Sequence, residues 1–374
     1  MTTLTTAIDS VLDARENRQD FDIPLKDFSL SLNVDGDKIV GCIDGRDYVP
    51  TNYCLRQMAK WHNLPLGILR NLTEPVYKQN GDVLFDRDST DLGLLVSLFK
   101  NGIRDGRVNP DKVFKFRTYG DGTLRAMLSD MYAIIDNVWY LEHLQDVFSN
   151  YPDGEVKFNH WNTDGDTIYG NLKIPGIEAN HEDGEHGGML FIGNCEIGKQ
   201  RISIAPAVWR QICTNGMMGW AKGQMWDKVH RGAVDLKGLA SEITVKIADK
   251  IKLINDGITT LRSTQEHEFV KGVKPSQIIA QIADSYKLTP GQKGQAVATV
   301  GEYVNHESAY RNLYGIINSI TRMAQTQEPA EQHRIEAVGG QLAGYSDKDW
   351  NRLNVLAGSM NEDKYNKILG RVAV

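Results

Sequence analysis

Residues 187–206, GGMLFIGNCEIGKQRISIAP, admit two readings, and the two give different folds. Gly193 to Lys199 fits the spacing GxxxxGK of a phosphate-binding loop, which would place a nucleotide at the end of a parallel sheet. That loop needs a Ser or Thr hydroxyl after the lysine for the magnesium ion, and here the residue is Gln200. It also needs a helix to follow, with its N-terminus turned toward the phosphates. RISIAP instead alternates polar and apolar residues as a half-buried strand does. A hairpin turn carrying a lysine explains the same letters, so this stretch predicts antiparallel β-structure.

The neighbouring sequence repeats the pattern. Asp35-Gly36, Asp121-Gly122 and Asp164-Gly165 each separate two alternating runs, which is the signature of a tight hairpin. Between the hairpins lie helical segments: TTAIDSVLDAREN behind a threonine cap, a helix capped by Thr51 and ending before Pro65, TDLGLLVSLFKNGI, and a helix capped by Asn137 with Val138, Leu141, Leu144 and Phe148 on one face. Pro206 is placed to open a further helix, PAVWRQICT, that Asn215-Gly216 would end. From about residue 239 the pattern becomes purely helical. Ile243, Ile247, Ile251, Ile254, Ile258 and Leu261 form one continuous stripe, suited either to packing within the chain or to a subunit interface. The fold class expected is α+β: a central antiparallel hairpin sheet crossed by helices, then an all-α C-terminal region. The segments expected are 1–105, 106–238 and 239–374.

Composition bounds the function. A chain of 374 residues, 41% of them apolar, can bury a full core. No run approaches the roughly 20 apolar residues of a membrane span, and MTTLTTAIDS lacks the basic start and apolar centre of a signal peptide. The expected compartment is the cytoplasm. Cys42, Cys54, Cys195 and Cys213 form no CxxC pair and read as reduced, mostly buried thiols. The formal charge of -6 is unevenly spread. Between Ile197 and Gly238, Lys199, Arg201, Arg210, Lys222, Lys228, Arg231 and Lys237 stand against Asp227 and Asp235, a local excess of +5. A basic island on an acidic chain can attract a polyanion to one face.

Within that island Trp209, Trp220 and Trp226 are interleaved with the cations, a mixture of aromatic platforms and positive charge that holds single-stranded nucleic acid. Trp209 lies at helical spacing from Ile212 and Cys213 and reads as core, and Met217, Met218 and Met225 read as packing residues. The loop HEDGEHGG offers His181 and His186 as metal ligands, but no HExxH helix or distant third ligand supports them, and a solvated acidic loop explains it better. No metal or other cofactor is expected. No Ser/His/Asp or Cys/His arrangement can be assembled from spacing.

YVPTNYCLRQMAKWHNLP, LRAMLSDMYAIIDN, ISIAPAVWRQICTNGMMGW, VHRG and AYRNLYGIINSITRMAQ, in that order, resemble the phage and plasmid-like protein family, an uncharacterised domain of bacteriophages and mobile elements. The likeness covers roughly residues 40 to 340, with SIAP and CTNGM its most specific part. Arg125, Tyr132 and Asp136 fit the pattern, whereas Met131 stands where the family has a basic residue. The family has no settled activity to carry over. Its phage setting and hairpin-then-helix pattern are similar, at the level of fold, to phage single-strand annealing proteins, which assemble on single-stranded DNA. The resemblance implies a cytoplasmic protein of an infected bacterium.

These readings converge on a non-enzymatic protein that binds single-stranded DNA, assembles as a homo-oligomer, and serves recombination or replication. Lys199, Arg201, Arg210, Lys222, Lys228, His230 and Arg231 would meet phosphates, Trp220 and Trp226 would stack bases, and Arg125 would extend the groove. The rival readings are a host-directed interaction protein using the acidic surface or the apolar helix, and a metal- or nucleotide-dependent enzyme built on His181, His186 and the Gly193 to Lys199 loop.

Overall fold

GGMLFIG and RISIAP pair with each other as an antiparallel hairpin in the computed structural model of the chain, with Phe191 opposite Ala205, Ile192 opposite Ile204 and Gly193 opposite Ser203. The structure describes residues 2–13, 18–73, 76–77, 83–85, 89–181, 184–210, 213–218, 225–306 and 311–369. For 13, 76–77, 83–85, 89, 178–181, 184–186, 209–210, 213–218, 255, 301–306, 329–330 and 333 it describes the backbone alone. The chain divides into two compact units. One comprises Val11–Ile134 with His230–Val234, here called the N-terminal unit. The other, the C-terminal unit, comprises Met1–Ser10, Ile135–Val229 and Asp235–Val374. This differs from the three segments expected: the 113–129 hairpin joins the N-terminal unit, and the C-terminal helices share a unit with the central sheet.

The first elements are β1 (Thr2–Thr3), α1 (Leu4–Asp13), β2 (Gln19–Pro24), β3 (Ser29–Leu32), β4 (Ile39–Ile43) and β5 (Arg46–Pro50). They are followed by α2 (Asn52–Trp61), α3 (Leu66–Thr73), β6 (Val76–Tyr77), β7 (Val83–Phe85), α4 (Ser89–Arg104), β8 (Val113–Thr118) and β9 (Thr123–Ser129). In the N-terminal unit six strands form a sheet in the order β2-β8-β9-β5-β4-β3. Its pairs are antiparallel except β5 with β9. Gly36 and Gly122 take the positive φ that their hairpin turns require. Thr51 caps α2 as its sequence predicts, its hydroxyl accepting from the Cys54 N–H at 3.1 Å. The core is aromatic: Phe28 stacks on Phe116 with centroids 4.5 Å apart, and Trp61 meets Phe114 edge-on at 5.0 Å.

The C-terminal unit is built from α5 (Asn137–Phe148), β10 (Lys157–Thr163), β11 (Thr167–His181), β12 (Gly184–Cys195), β13 (Ile202–Arg210), β14 (Cys213–Met218) and β15 (Trp226–Lys228). After these come α6 (Leu236–Ser263), α7 (Pro275–Ser285), α8 (Pro290–His306), α9 (Leu313–Ala324), α10 (Pro329–Ala343), α11 (Asp347–Gly358) and α12 (Glu362–Ile368). Its sheet runs β1-β10-β11-β12-β13-β14, with β15 also paired to β13, and all its pairs are antiparallel. The α+β class and the all-helical C-terminal region are as the sequence predicts.

Helices cover both faces of this sheet. On one, Gly188 lets α6 come close: a Cβ there would lie 2.8 Å from Ile254 Cγ2 and 2.9 Å from the Ile177 side chain. The stripe residues Ile243, Ile247, Ile254, Ile258 and Leu261 are buried, and α6 packs on β12 and β13. Ile251, the sixth, is half-buried, so the stripe is used mainly inside the chain. On the other face α10 lies over Tyr169, Met189, Phe191, Ala205 and Ala207, with Ala337 and Met225 packed against them.

Three local expectations are corrected. PAVWRQICT is not a helix; its first residues continue β13, because Ala205 and Ala207 fit between the larger side chains of that core and Val208 pairs with Gly188. Pro206 sits between the part of β13 paired to β15 and the part paired to β14, where its missing N–H breaks no ladder bond on that edge. Asn215-Gly216 is likewise not a turn but lies within β14, Gly216 opposite Trp209. Asn137 is the first residue of α5 rather than its cap, since its side chain is drawn into a buried network and Asp136 takes the cap position.

Candidate nucleic-acid interface

The turn between β12 and β13 spends its polar groups on the fold. Asn194 Nδ2 donates to the Ile135 carbonyl and to Asn137 Oδ1, both at 2.9 Å. Glu196 accepts the Asn137 N–H at 2.8 Å, and Asn137 Nδ2 donates to the Asp166 carbonyl at 3.0 Å. Gln200 Nε2 ties the turn to the carbonyls of Ile168 and Asn194. Lys199, the lysine of the GxxxxGK spacing, reaches Asp164 Oδ2 at 2.9 Å, and the chain after it enters β13. Donors that a phosphate loop would hold ready are here committed to carbonyls and a carboxylate, so the hairpin reading accounts for this segment.

The cation-rich stretch has the same economy on the surface. Arg201 pairs with Asp227 at 2.8 Å, and Lys228 pairs with Glu242 Oε2 at 2.6 Å. Trp226 Nε1 donates to the other oxygen of Glu242 at 3.0 Å. Lys228 and Trp226 together hold the Glu242 carboxyl below its usual range, hydrogen bonding to the lysine being the largest cause. Of the seven cations that make the local excess, Lys199, Arg201 and Lys228 thus meet a carboxylate, two of those carboxylates lying outside 197–238. Each exposed pair adds only about 0–1 kcal/mol, so the acids neutralise the charge more than they stabilise the fold.

What this leaves is a short sheet edge. Trp226 and Lys228 stand on β15, opposite Ile204 and Ile202 of β13, with Arg201 and Asp227 beside them. Arg201 is exposed and Trp226 half-buried, with its indole N–H fixed and part of its ring surface open. The ring is held in one orientation, as a stacking platform must be.

The remaining expected residues separate. Arg125 is fully buried in β9 with its guanidinium 4.9 Å from the Tyr119 ring centroid, so it cannot reach a phosphate on the surface. Its place on a strand whose residues 124–128 are all buried is the physical reason, and the alternation of LRAMLSD conceals it. His230 is buried too, its Nδ1 3.0 Å from the Tyr132 hydroxyl and its ring stacked on that of Tyr132. The backbone around it is tied to the LSDMY turn, the Gly232 N–H donating to the Met131 carbonyl at 2.8 Å. HRG and LSDMY, far apart in sequence, are thus held together within the N-terminal unit. Arg231 is exposed there. The side chains of Arg210, Trp220 and Lys222, and those of Trp209, His181 and His186, lie outside the described residues. Among the described residues no cluster of three His, Cys, Asp or Glu could hold a metal, and no helix is long and apolar enough to cross a membrane. Cys54 and Cys195 are buried and Cys42 partly so, all as free thiols.

One basic surface escapes a charge count centred on 197–238. From residue 48 to residue 73 the chain carries Arg56, Lys60 and Arg70 and no acid, and all three are exposed. Arg56 and Arg70 flank a pocket of about 80 Å³ between α2 and α3, with Asn52 and Thr73 at its margin. Its Thr73 hydroxyl donates to the Leu69 carbonyl at 2.8 Å, so the positive charge there comes from the two guanidiniums. A scan for acid-free windows would have found it.

No protein-family model, curated protein or solved structure matches this chain.

Proposed function

We propose that the protein binds single-stranded nucleic acid along the β13–β15 edge and has no catalytic activity of its own. The observation that carries this is the placement of Arg201, Lys228 and Trp226 at one accessible sheet edge, two cations followed by an aromatic surface. Stacking on Trp226 would contribute about 1–3 kcal/mol per base. Because Arg201 and Lys228 already hold carboxylates, a phosphate has to displace Asp227 or Glu242, so the salt-dependent part of binding is smaller than a bare +5 patch would give. The proposed setting, a bacteriophage or mobile element acting in recombination or replication within the bacterial cytoplasm, follows from the family resemblance. An oligomer on the strand remains part of the proposal.

A second reading is favoured by the same ion pairs. A surface whose cations are matched by acids suits a protein partner at least as well as a polyanion, and a host protein bound through the acidic surface is that alternative. Titration of labelled single-stranded DNA with the purified protein at two salt concentrations, beside a duplex control, separates the two. Salt-sensitive binding that favours the single strand supports the first reading. Absence of binding at low salt, together with recovery of one stoichiometric host protein, supports the second.

A further inference from the structure

On the face of α10 that packs on the sheet lies a carboxyl group that no cation accompanies among the described residues. Glu336 is fully buried. It accepts the Tyr169 hydroxyl on one oxygen and Gln332 Nε2 at 3.1 Å on the other, and Gln332 in turn meets His160 Nε2 through its carbonyl oxygen at 3.0 Å. Asn171, also fully buried, places Nδ2 3.4 Å from Glu336 Oε2, while its own Oδ1 meets no donor among the described residues. The two ends of a carboxamide are exchangeable in assignment. Turning this one over sets Oδ1 against the carboxyl and the Tyr169 hydroxyl, and an O–H on the carboxyl is one donor that satisfies it.

The charged groups around the site leave that proton in place. α10 packs against α9, β11 and β14. β11 brings Tyr169 and, two residues past Asn171, the half-buried Lys173. β10 brings His160, which bonds Gln332 and not the carboxyl, and whose pKa burial lowers. β14 has no Lys, Arg, Asp or Glu, and α9 has the single charged residue Arg322, which is exposed. On α10 itself Glu331 and Arg334 bond each other and Gln292, and the His333 side chain is outside the described residues. A carboxylate there would lose its hydration and gain only neutral hydrogen-bond partners, so the acid form is favoured.

We propose that α10 is docked on the sheet through a proton held by Glu336, so that loss of this proton loosens the helix and makes the C-terminal unit responsive to pH. Burial raises the Glu336 pKa to about 7, which puts the release within the physiological range. The sign follows: docking is strongest below the ordinary value of 4.5 and weakens as pH rises to about 7. His160, held neutral by burial, works in the opposite direction, so the Glu336→Gln variant is needed to isolate the carboxyl. Glutamine keeps the shape of the protonated acid and supplies an N–H where it has its O–H.

Hydrogen exchange of the α10 amides, at about pH 5.5 and about pH 8 and corrected for intrinsic rates, tests this. In the wild-type protein the opening equilibrium of residues 329–343 should rise about tenfold or more between the two, and in Glu336→Gln, where only the opposing His160 is left, it should not rise. Equal protection of the wild type at both, or the same rise in the variant, overturns the proposal. Where the variant does not fold, the infrared spectrum of the wild-type protein answers. A protonated-carboxyl band present at about pH 6, gone by about pH 8.5 and retained when the other fully buried glutamate is replaced, Glu196→Gln, supports the proton on Glu336, because exposed acids are ionised over that range. Absence of the band at about pH 6 overturns it.

Discussion

The β13–β15 edge and the sheet face beneath α10 handle charge in opposite ways. At the edge every described cation of Lys199, Arg201 and Lys228 has a carboxylate within 3 Å, and water screens what remains. Beneath α10 a carboxyl is dry and surrounded by neutral groups. A local excess of charge in the sequence therefore marks a place where little energy is stored, whereas Glu336, the second glutamate of EQHRIEAVGG, which no charge count would notice, is a group whose protonation state burial shifts.

Several substitutions sharpen this contrast, beginning with those of largest effect. Phe191→Ala empties part of the core beneath α10 and should lower stability by about 3–5 kcal/mol in urea unfolding, as truncation of a buried aromatic does. A loss below about 1 kcal/mol would mean that α10 is not firmly seated on that face. On the opposite face, Gly188→Val pushes a side chain into Ile254 and Ile177 and should cost about 1–3 kcal/mol, read as a drop in melting temperature. A neutral result there would contradict the close approach of α6.

The pH dependence comes next. Glu336 has a folded pKa of about 7 against an ordinary value of 4.5, so its contribution to stability is complete below about pH 4.5 and is lost as pH rises to 7. Relative to Glu336→Gln, the wild type should lose about 1.4 kcal/mol per pH unit across that window. Parallel stability curves for the two proteins would show that the carboxyl is ionised throughout. Smallest of all, Lys199→Ala and Arg201→Ala should each change stability by less than about 1 kcal/mol, and by less still in high salt, because both pairs are at least partly exposed. A larger loss at either would move the edge into the class of buried, structural polar groups.

Much of the architecture can be read from local signals. The Asp-Gly hairpins at 35, 121 and 164, the Thr51 cap and the isoleucine stripe of α6 depend on neighbours within a few residues, and the structure has them where the spacing predicts. PAVWRQICT and Asn215-Gly216 fail because cross-strand pairing with β12 and β13 overrides a helix-starting proline and a turn dipeptide. The site was harder to read for the same reason. Nothing near Arg125 or His230 in sequence reveals that one lies inside a sheet and the other under Tyr132. The acids that neutralise the basic stretch, Asp164 and Glu242, come from outside the window in which the charge was counted.

The central claim is that the β13–β15 edge is a strand-binding surface, and the most direct test compares the wild-type protein with one carrying Arg201→Ala, Trp226→Ala and Lys228→Ala together. Fluorescence anisotropy with labelled single-stranded DNA at low salt should show affinity falling at least about tenfold in the variant, the loss of one stacked base and two phosphate contacts, with its unfolding midpoint little changed. Equal affinity of the two proteins, or no binding by either, would contradict it.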